Sequence, residues 1–240
     1  MYKGKTILGI IPARGGSKGL PGKNIMQLID KPLIAWTIEQ AGKSMYMDKV
    51  IVNTDDIQIA ETSKRYGAEI PFMRPPELAG DSSKIIDAVF HALDTLAKDG
   101  KAYDYLALLE PTSPLRKNDD IDNAIMKLID AGDSAESLIS VGEIALEHPI
   151  YAKKVTKDGY VKTYFDVQKT DALRQDIPAA FFPYGVIYLS KVSAVRKHKA
   201  VYPERIIPYF IERWQNYEIN DKLDFMCVET ILKLKKEESK

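Results

Sequence analysis

The chain has 240 residues, 45% hydrophobic and 28% charged, with 34 positive and 34 negative side chains and no net charge. This is ordinary globular composition with ample length for one domain, and the charge balance argues against a broad footprint for DNA or RNA. The single cysteine, Cys227, excludes an internal disulfide; it lies among Leu223, Phe225, Met226 and Val228, reads as a buried core thiol, and fits a reducing cytoplasm.

Residues 6–11 read as a short buried strand, too short for a secretory leader, and no run is long enough to span a bilayer. Next comes Pro12-Ala13-Arg14-Gly15-Gly16-Ser17-Lys18-Gly19-Leu20-Pro21-Gly22-Lys23-Asn24, a strand-to-helix connection with four glycines and three cations. Glycine lets backbone N–H groups turn toward an anion without a Cβ in the way, and Arg14, Lys18 and Lys23 add formal charge. From Met1 to Ile29 there are five Lys/Arg and no acid, so the segment reads as a local site for a polyphosphate. Pro12 and Pro21 stiffen it, which sets it apart from a flexible basic surface loop. It is not a Walker loop: Ser17 stands where the first glycine belongs, and Asn24 replaces the hydroxyl that would hold Mg²⁺. The dinucleotide spacing G-x-G-x-x-G is absent as well.

A helix is expected from Pro32, at its first position, to about Ser44, then a strand at 49–53. Asp55 or Asp56 can cap the next helix, which Gly67 closes, and 68–73 is strand-like. Ser82 or Ser83 can cap a helix whose stripe is Ile85, Ile86, Val89, Phe90, Leu93 and Leu96. A strand at 105–109 follows, then a helix from Asn118 or Asp119 to Gly132, then a strand at 138–141. This alternation predicts an α/β fold, a doubly wound and mostly parallel sheet. Ligands bind outside the carboxyl ends of such strands, so Arg14, Asp55, Arg74 and residues 110–116 are expected to converge on one rim.

The pattern breaks after about Glu143. Residues 144–183 read as an inserted β-rich arm in a single domain of 1–240, with a hairpin signal at Lys157-Asp158-Gly159. Its aromatics (Tyr151, Tyr160, Tyr164, Phe165, Phe181, Phe182) point to packing against something, such as a second subunit. Residues 184–189 return to strand character, and a last helix starts near Asp221. His91, His148 and His198 are scattered without metal-ligand spacing and read as structural or exposed.

The glycine-rich segment resembles the signature of the acylneuraminate cytidylyltransferases, the CMP-sialic acid synthetases. Phe72-Met73-Arg74-Pro75 with Leu78-Ala79 and Asp81 is similar to that family's second motif, and Glu110-Pro111-Thr112-Ser113-Pro114-Leu115-Arg116 to its third. Arg174-Gln175-Asp176 with Gly185-Val186-Ile187-Tyr188 is similar to its fourth. The resemblance implies a Rossmann-like nucleotidyltransferase that joins CTP to a nonulosonic acid, releasing pyrophosphate. It implies Ala13, Arg14, Gly15, Gly16, Lys23, Asn24, Arg74, Asp81 and Ser83 at the nucleotide, with Arg14 and Lys23 catalytic. For Arg74 the alternative is a surface ion pair with Glu69 or Glu77. It places Glu110, Arg174, Gln175, Tyr184 and Tyr202 at the sugar, though Arg174 could make only interface contacts.

Three departures stand out. Glu110 replaces the usual Gln, Tyr184 stands where Asn is common, and the metal-binding Asp-x-Asp appears as Glu218-Ile219-Asn220. Glu218 and Asn220 could still hold Mg²⁺ (or Mn²⁺) through oxygen; Asp221 either compensates for the lost charge or only caps the following helix. The acceptor is N-acetylneuraminate, legionaminate, pseudaminate or KDN, with no choice among them. The expected assembly is a cytoplasmic homodimer with no nucleic-acid or membrane partner. The competing readings are a cytidylyltransferase for KDO or another acceptor, and an inactive nucleotide-sugar-binding regulator.

Overall fold

The structure, a computed structural model, describes residues 1–144, 147–165 and 177–238. Strand β1 (Ile7–Pro12) leads through a glycine-rich loop to the two-residue strands β2 (Gln27–Leu28) and β3 (Lys31–Pro32), then helix α1 (Leu33–Gly42). Next come β4 (Lys49–Asn53), α2 (Ile57–Arg65), α3 (Ile85–Lys98), β5 (Tyr105–Leu108), α4 (Asp120–Asp130) and β6 (Ser137–Glu143). The short pair β7 (Lys153–Val155) and β8 (Val161–Thr163) precedes β9 (Phe181–Lys191), α5 (Val192–His198), β10 (Ile206–Phe210) and α6 (Lys222–Glu238).

Six strands form one sheet in the order β10-β6-β9-β5-β1-β4. β1 is parallel to β4 and β5, and β10 to β6, while β9 runs antiparallel to both β5 and β6. The expected mostly parallel sheet is therefore correct, with one reversed strand near its middle. Strand period sorts the core into two layers. Ile7, Ile11, Val52, Ala107 and Ile187 pack with residues of α1, α2 and α4. Leu8, Ile10, Ile51, Leu106 and Leu108 pack on the other face with residues of α3 and α5. A third cluster, Leu28, Leu33, Leu115, Ile219, Val228 and Leu232, seats α6 beside α1. No helix among the described residues is long and apolar enough to cross a membrane.

Local details differ from expectation for identifiable reasons. The strand expected at 68–73 reduces to one bridge, Ile51 to Glu69, beyond the edge of β4. Ser82 and Ser83 do not cap α3; Lys84 holds that position, and the Ser83 hydroxyl donates to the Glu77 carbonyl. Pro32 is the residue before α1 rather than its first. Asp56 does cap α2, accepting from Ile59 N at 2.9 Å. The hairpin at 157–159 forms between β7 and β8, with Gly159 at φ 85°. β9 takes up the last three residues of the stretch read as an arm, Phe181 to Pro183 pairing with Glu143 to Val141. Cys227 is half-buried on α6 rather than in the core.

Candidate active site

The carboxyl ends of β1, β4 and β5 open on one rim, where the expectation placed the convergence. Ala13, immediately past β1, is buried and its N–H still donates to the Asn53 carbonyl at 3.0 Å, so the loop leaves the sheet at a fixed point. Asn24 Nδ2 donates to the Arg14 carbonyl at 3.2 Å, tying the two ends of the loop together. Between them Gly15 N donates to Asp55 Oδ1 at 3.1 Å. Gly19 is required by contact: a Cβ there would strike the backbone oxygen of Asn220. The loop and the segment before α6 thus form facing walls.

Between these walls lies a cavity of about 240 Å³ lined by Arg14, Ser17, Lys23, Asn24, Glu110 and Glu218, with Asn220 at its exposed edge. Lys23 Nζ reaches across to donate to the Ile219 carbonyl at 2.8 Å. Burial lowers the Lys23 pKa, opposed by the carboxylates of Glu110, Glu218 and Asp224. Arg14 leans toward the loop before α3, donating to the Gly80 carbonyl at 3.1 Å and Asp81 Oδ1 at 3.2 Å. Lys18 completes the cluster at 2.8 Å from Asp81 Oδ2. Asp81 therefore holds two loop cations that an incoming polyanion would take over. Ser83 neighbours this contact, its N–H donating to the Gly80 carbonyl at 3.1 Å. Gly16 is exposed on the loop, with no atom within 4 Å of where its Cβ would stand.

Arg74 is buried and makes neither surface ion pair; Glu69 pairs with Lys49. Its Nε and Nη2 donate to the side-chain and backbone oxygens of Asn53 at 2.8 and 2.6 Å, and its N–H donates to the Thr54 carbonyl. Arg74 locks the loop that carries Asp81 and Ser83 to the end of β4.

The opposite wall is acidic. Removal from water, reinforced by the Glu218 carboxylate, raises the Glu110 pKa to about 7. Glu218 Oε1 accepts from Ser113 Oγ at 3.1 Å and from Gly185 N. A Cβ on Gly185 would collide with the Glu110 carboxylate, so β9 approaches this closely only with glycine. The rings of Tyr188 and Tyr202 stand 5.0 Å apart; burial raises both phenols, with Glu110 and Glu218 adding to the effect. Tyr184 lies beside this cleft, its ring 5.2 Å from that of Phe182. Arg174 and Gln175 lie outside the described residues.

Because the native Glu110 holds its proton more tightly than a free carboxyl, the stability this one group contributes is fully present below the ordinary value of 4.5 and is lost as pH rises through about 7. Glu110→Gln is expected to flatten that slope. In urea titrations it should match wild type at pH 4.5 and exceed it above pH 7 by on the order of 3 kcal/mol. Parallel curves at all pH values would remove the buried-acid assignment.

Sequence reasoning missed Arg116, which is fully enclosed. Its guanidinium donates to the carbonyls of Glu110 at 2.7 Å, Gly185 at 2.8 Å and Val186, and to Thr37 Oγ1 at 2.8 Å. It was visible only as the last residue of a motif; nothing in the pattern marks an arginine that binds carbonyls. Asp221 proves to be a cap, its Oδ1 accepting from Asp224 N at 3.0 Å. Among the described residues no three His, Cys, Asp or Glu side chains cluster as a metal site. Glu218, with one oxygen engaged, and the exposed Asn220 are hard oxygen donors on the same cavity. Such a pair fits a cation that takes its remaining ligands from substrate phosphate and water.

Residues 8–238 match the family model described as cytidylyltransferase. The chain is 34% identical over 225 residues to an N-acylneuraminate cytidylyltransferase of Escherichia coli, covering 94% of this chain and 52% of the relative. It is 32% identical over 232 residues to a CMP-N,N'-diacetyllegionaminic acid synthase of Legionella pneumophila, covering 96% and 98% respectively. It therefore spans about half the length of the first relative and nearly all of the second. A solved CMP:2-keto-3-deoxy-manno-octonic acid synthetase complexed with CTP shares the fold, with TM-score 0.69 at 16% identity over 96% of this chain and 99% of that one.

Proposed function

The chain belongs to the cytidylyltransferase family, and from that premise we propose that it transfers the cytidylyl group of CTP to a nonulosonic acid. The products are a CMP-sugar and pyrophosphate. The observation that carries this reading is the cleft in which Arg14 and Lys23 stand on one wall and Glu110 and Glu218 on the other. The triphosphate lies along the glycine-rich loop, and the base lies toward the Asp81–Ser83 loop that Arg74 anchors. The acceptor's anomeric hydroxyl enters from the side of Glu110, Tyr202 and Tyr184 and attacks the α-phosphorus in line.

As the bond to the β-phosphate breaks, negative charge grows on departing pyrophosphate. Preplaced cations stabilise that charge more than they stabilise bound CTP, which is what accelerates a reaction. The proton lost by the attacking hydroxyl leaves toward the acidic wall, where Glu110 and Glu218 stand as acceptors. Magnesium (or manganese) belongs to this reading: Glu218 and Asn220 would hold it, and it would neutralise triphosphate charge. The exposed rings of Tyr151, Tyr160, Tyr164, Phe165, Phe181 and Phe182 support a homodimer formed through the arm. A cytoplasmic location, where CTP is available, completes the reading.

Incubation with CTP, Mg²⁺ and N-acetylneuraminate, legionaminate, pseudaminate, KDN or KDO tests it by pyrophosphate release. Release with at least one nonulosonic acid is expected. Release with KDO alone would redirect the acceptor, and CTP binding without release from any acid would leave a regulator in place of an enzyme.

A further inference from the structure

The segment 110–116 lines two cavities. Glu110, Pro111 and Thr112 face the catalytic cleft, whereas Pro114, Leu115 and Arg116 line a cavity of about 460 Å³ between α1 and α6. That volume is typical of a small-molecule site. Both tryptophans of the chain, Trp36 and Trp214, line it, together with Leu115 and Leu232 of the third core cluster. Its walls are fixed by hydrogen bonds. Gln40 Nε2 donates to the carbonyls of Pro114 at 2.9 Å and Arg116 at 3.1 Å, and Gln215 Nε2 to that of Leu115 at 3.0 Å. Trp36 Nε1 donates to the Leu28 carbonyl at 3.2 Å, and Trp214 Nε1 to Glu212 Oε2 at 2.6 Å.

Five lysines, Lys31, Lys43, Lys117, Lys235 and Lys236, line this cavity against a single acid, Glu39. Three of them lie over indole rings. Lys31 and Lys236 stand 4.1 and 5.4 Å from the centre of the Trp36 ring, and Lys235 stands 5.0 Å from that of Trp214. An indole face places an ammonium without cancelling its formal charge. Glu39 pairs with Lys31. The other acid partners are exposed: Asp30 on Lys236 at 2.7 Å, Glu212 on Lys117 at 3.1 Å and Glu238 on Lys235 at 2.8 Å. Exposed pairs of this kind contribute little, so an incoming anion displaces them at small cost. Lys43, exposed at the end of α1, has no acid partner among the described residues.

The lysines come from β3, the end of α1, the loop before α4, and α6, so no single one-charge anion meets them all. A chain of phosphates has the charge and the length to meet several, and lysine binds phosphate as a point charge without a fixed plane. We propose that this pocket binds a polyphosphate chain, either free or as the tail of a nucleotide, independently of the catalytic cleft. The assignment does not rest on the proposed function.

The pocket holds both tryptophans and the cleft holds none, so tryptophan emission reports from the pocket. Inorganic tripolyphosphate is titrated, without metal, into the Arg14→Ala/Lys23→Ala chain, whose cleft has lost its cations. At about 0.15 M salt, which screens general surface attraction, calorimetry should show one-to-one saturable binding. Tryptophan emission should change along the same curve. ATP binding with equal affinity would identify the free chain as sufficient, and tighter binding would identify a nucleotide as its source. Lys43→Gln/Lys236→Gln in the same background should weaken tripolyphosphate at least about 10-fold, as befits lost bonds between charged groups. Lys153→Gln/Lys154→Gln, on the exposed strand β7, should change it by less than about twofold. No saturable change in emission, or equal effects of the two pairs of substitutions, overturns the assignment while leaving the cytidylyltransferase reading intact.

Discussion

Replacement of Lys23 by alanine is expected to lower kcat by about 10²–10³-fold, the usual loss when one preorganised electrostatic group is removed from a transition state. Lys23 is suited to that effect because its position does not depend on the substrate. Its ammonium is held by the Ile219 carbonyl at 2.8 Å across the cleft, and its stem is carried by the turn Lys23–Ile25. Burial in the presence of Glu110 and Glu218 leaves a cation that is costly to desolvate and poised for developing negative charge. Arg14→Ala is expected in the same range, with a larger share in CTP affinity, because Arg14 must first exchange Asp81 for phosphate. Pyrophosphate release under saturating CTP measures the first effect, and the dependence on CTP concentration separates the second. A kcat for Lys23→Ala within about threefold of wild type would remove the lysine from the chemistry.

Arg116→Met is expected to destabilise the fold by on the order of 4 kcal/mol and to abolish most activity with it. The substitution keeps much of the volume but leaves the carbonyls of Glu110, Gly185 and Val186 buried without their donor. In a chain of this length that is a fall in Tm of roughly 10 °C. Activity should fall further than unfolding explains. The same guanidinium holds the Glu110 loop against β9, and β9 in turn holds Glu218 through Gly185 N. Arg116→Lys should restore only part of either property, since an ammonium cannot reach the Glu110 loop, the two β9 carbonyls and Thr37 together. Calorimetric melting beside turnover at a temperature where the variant is folded checks both halves. A Tm within about 2 °C of wild type would mean that these carbonyls find other donors.

The elements legible from the residues are those whose periodicity and punctuation agree. β4 occupies the expected residues, and β1 and β5 fall within one residue of expectation, because each centres on a short apolar run, largely buried. The reversed direction of β9 was not legible: Val186, Ile187 and Leu189 form the same kind of apolar run whichever way the strand points. β10 escaped notice because Pro208 interrupts Ile206–Phe210, and a proline there is tolerated only because the strand lies at the sheet edge. Helix α5, seven residues long, is too short to show a stripe.

The cleft divides in the same way. The loop cations announced themselves, because clustered glycines and charges between a strand and a helix are unusual. Arg74 was found, but its partner Asn53 could not be, since burial decides the hydrogen bonds of an arginine and sequence does not record burial. Arg116 and Arg213 mark opposite limits of that difficulty: one is buried and bonded to carbonyls and a hydroxyl, the other is exposed and makes no hydrogen bond or ion pair among the described residues, yet both are written as the same letter.

Calorimetric titration of CTP with Mg²⁺ into the wild-type chain and into the Arg14→Ala/Lys23→Ala double variant tests the central claim most directly. Saturable heat with wild type is expected, together with affinity weakened at least about 100-fold in the double variant, as befits two lost charge-assisted contacts. Equal affinity in the two proteins, or no heat with wild type, would contradict the assignment of the glycine-rich loop as the seat of the triphosphate.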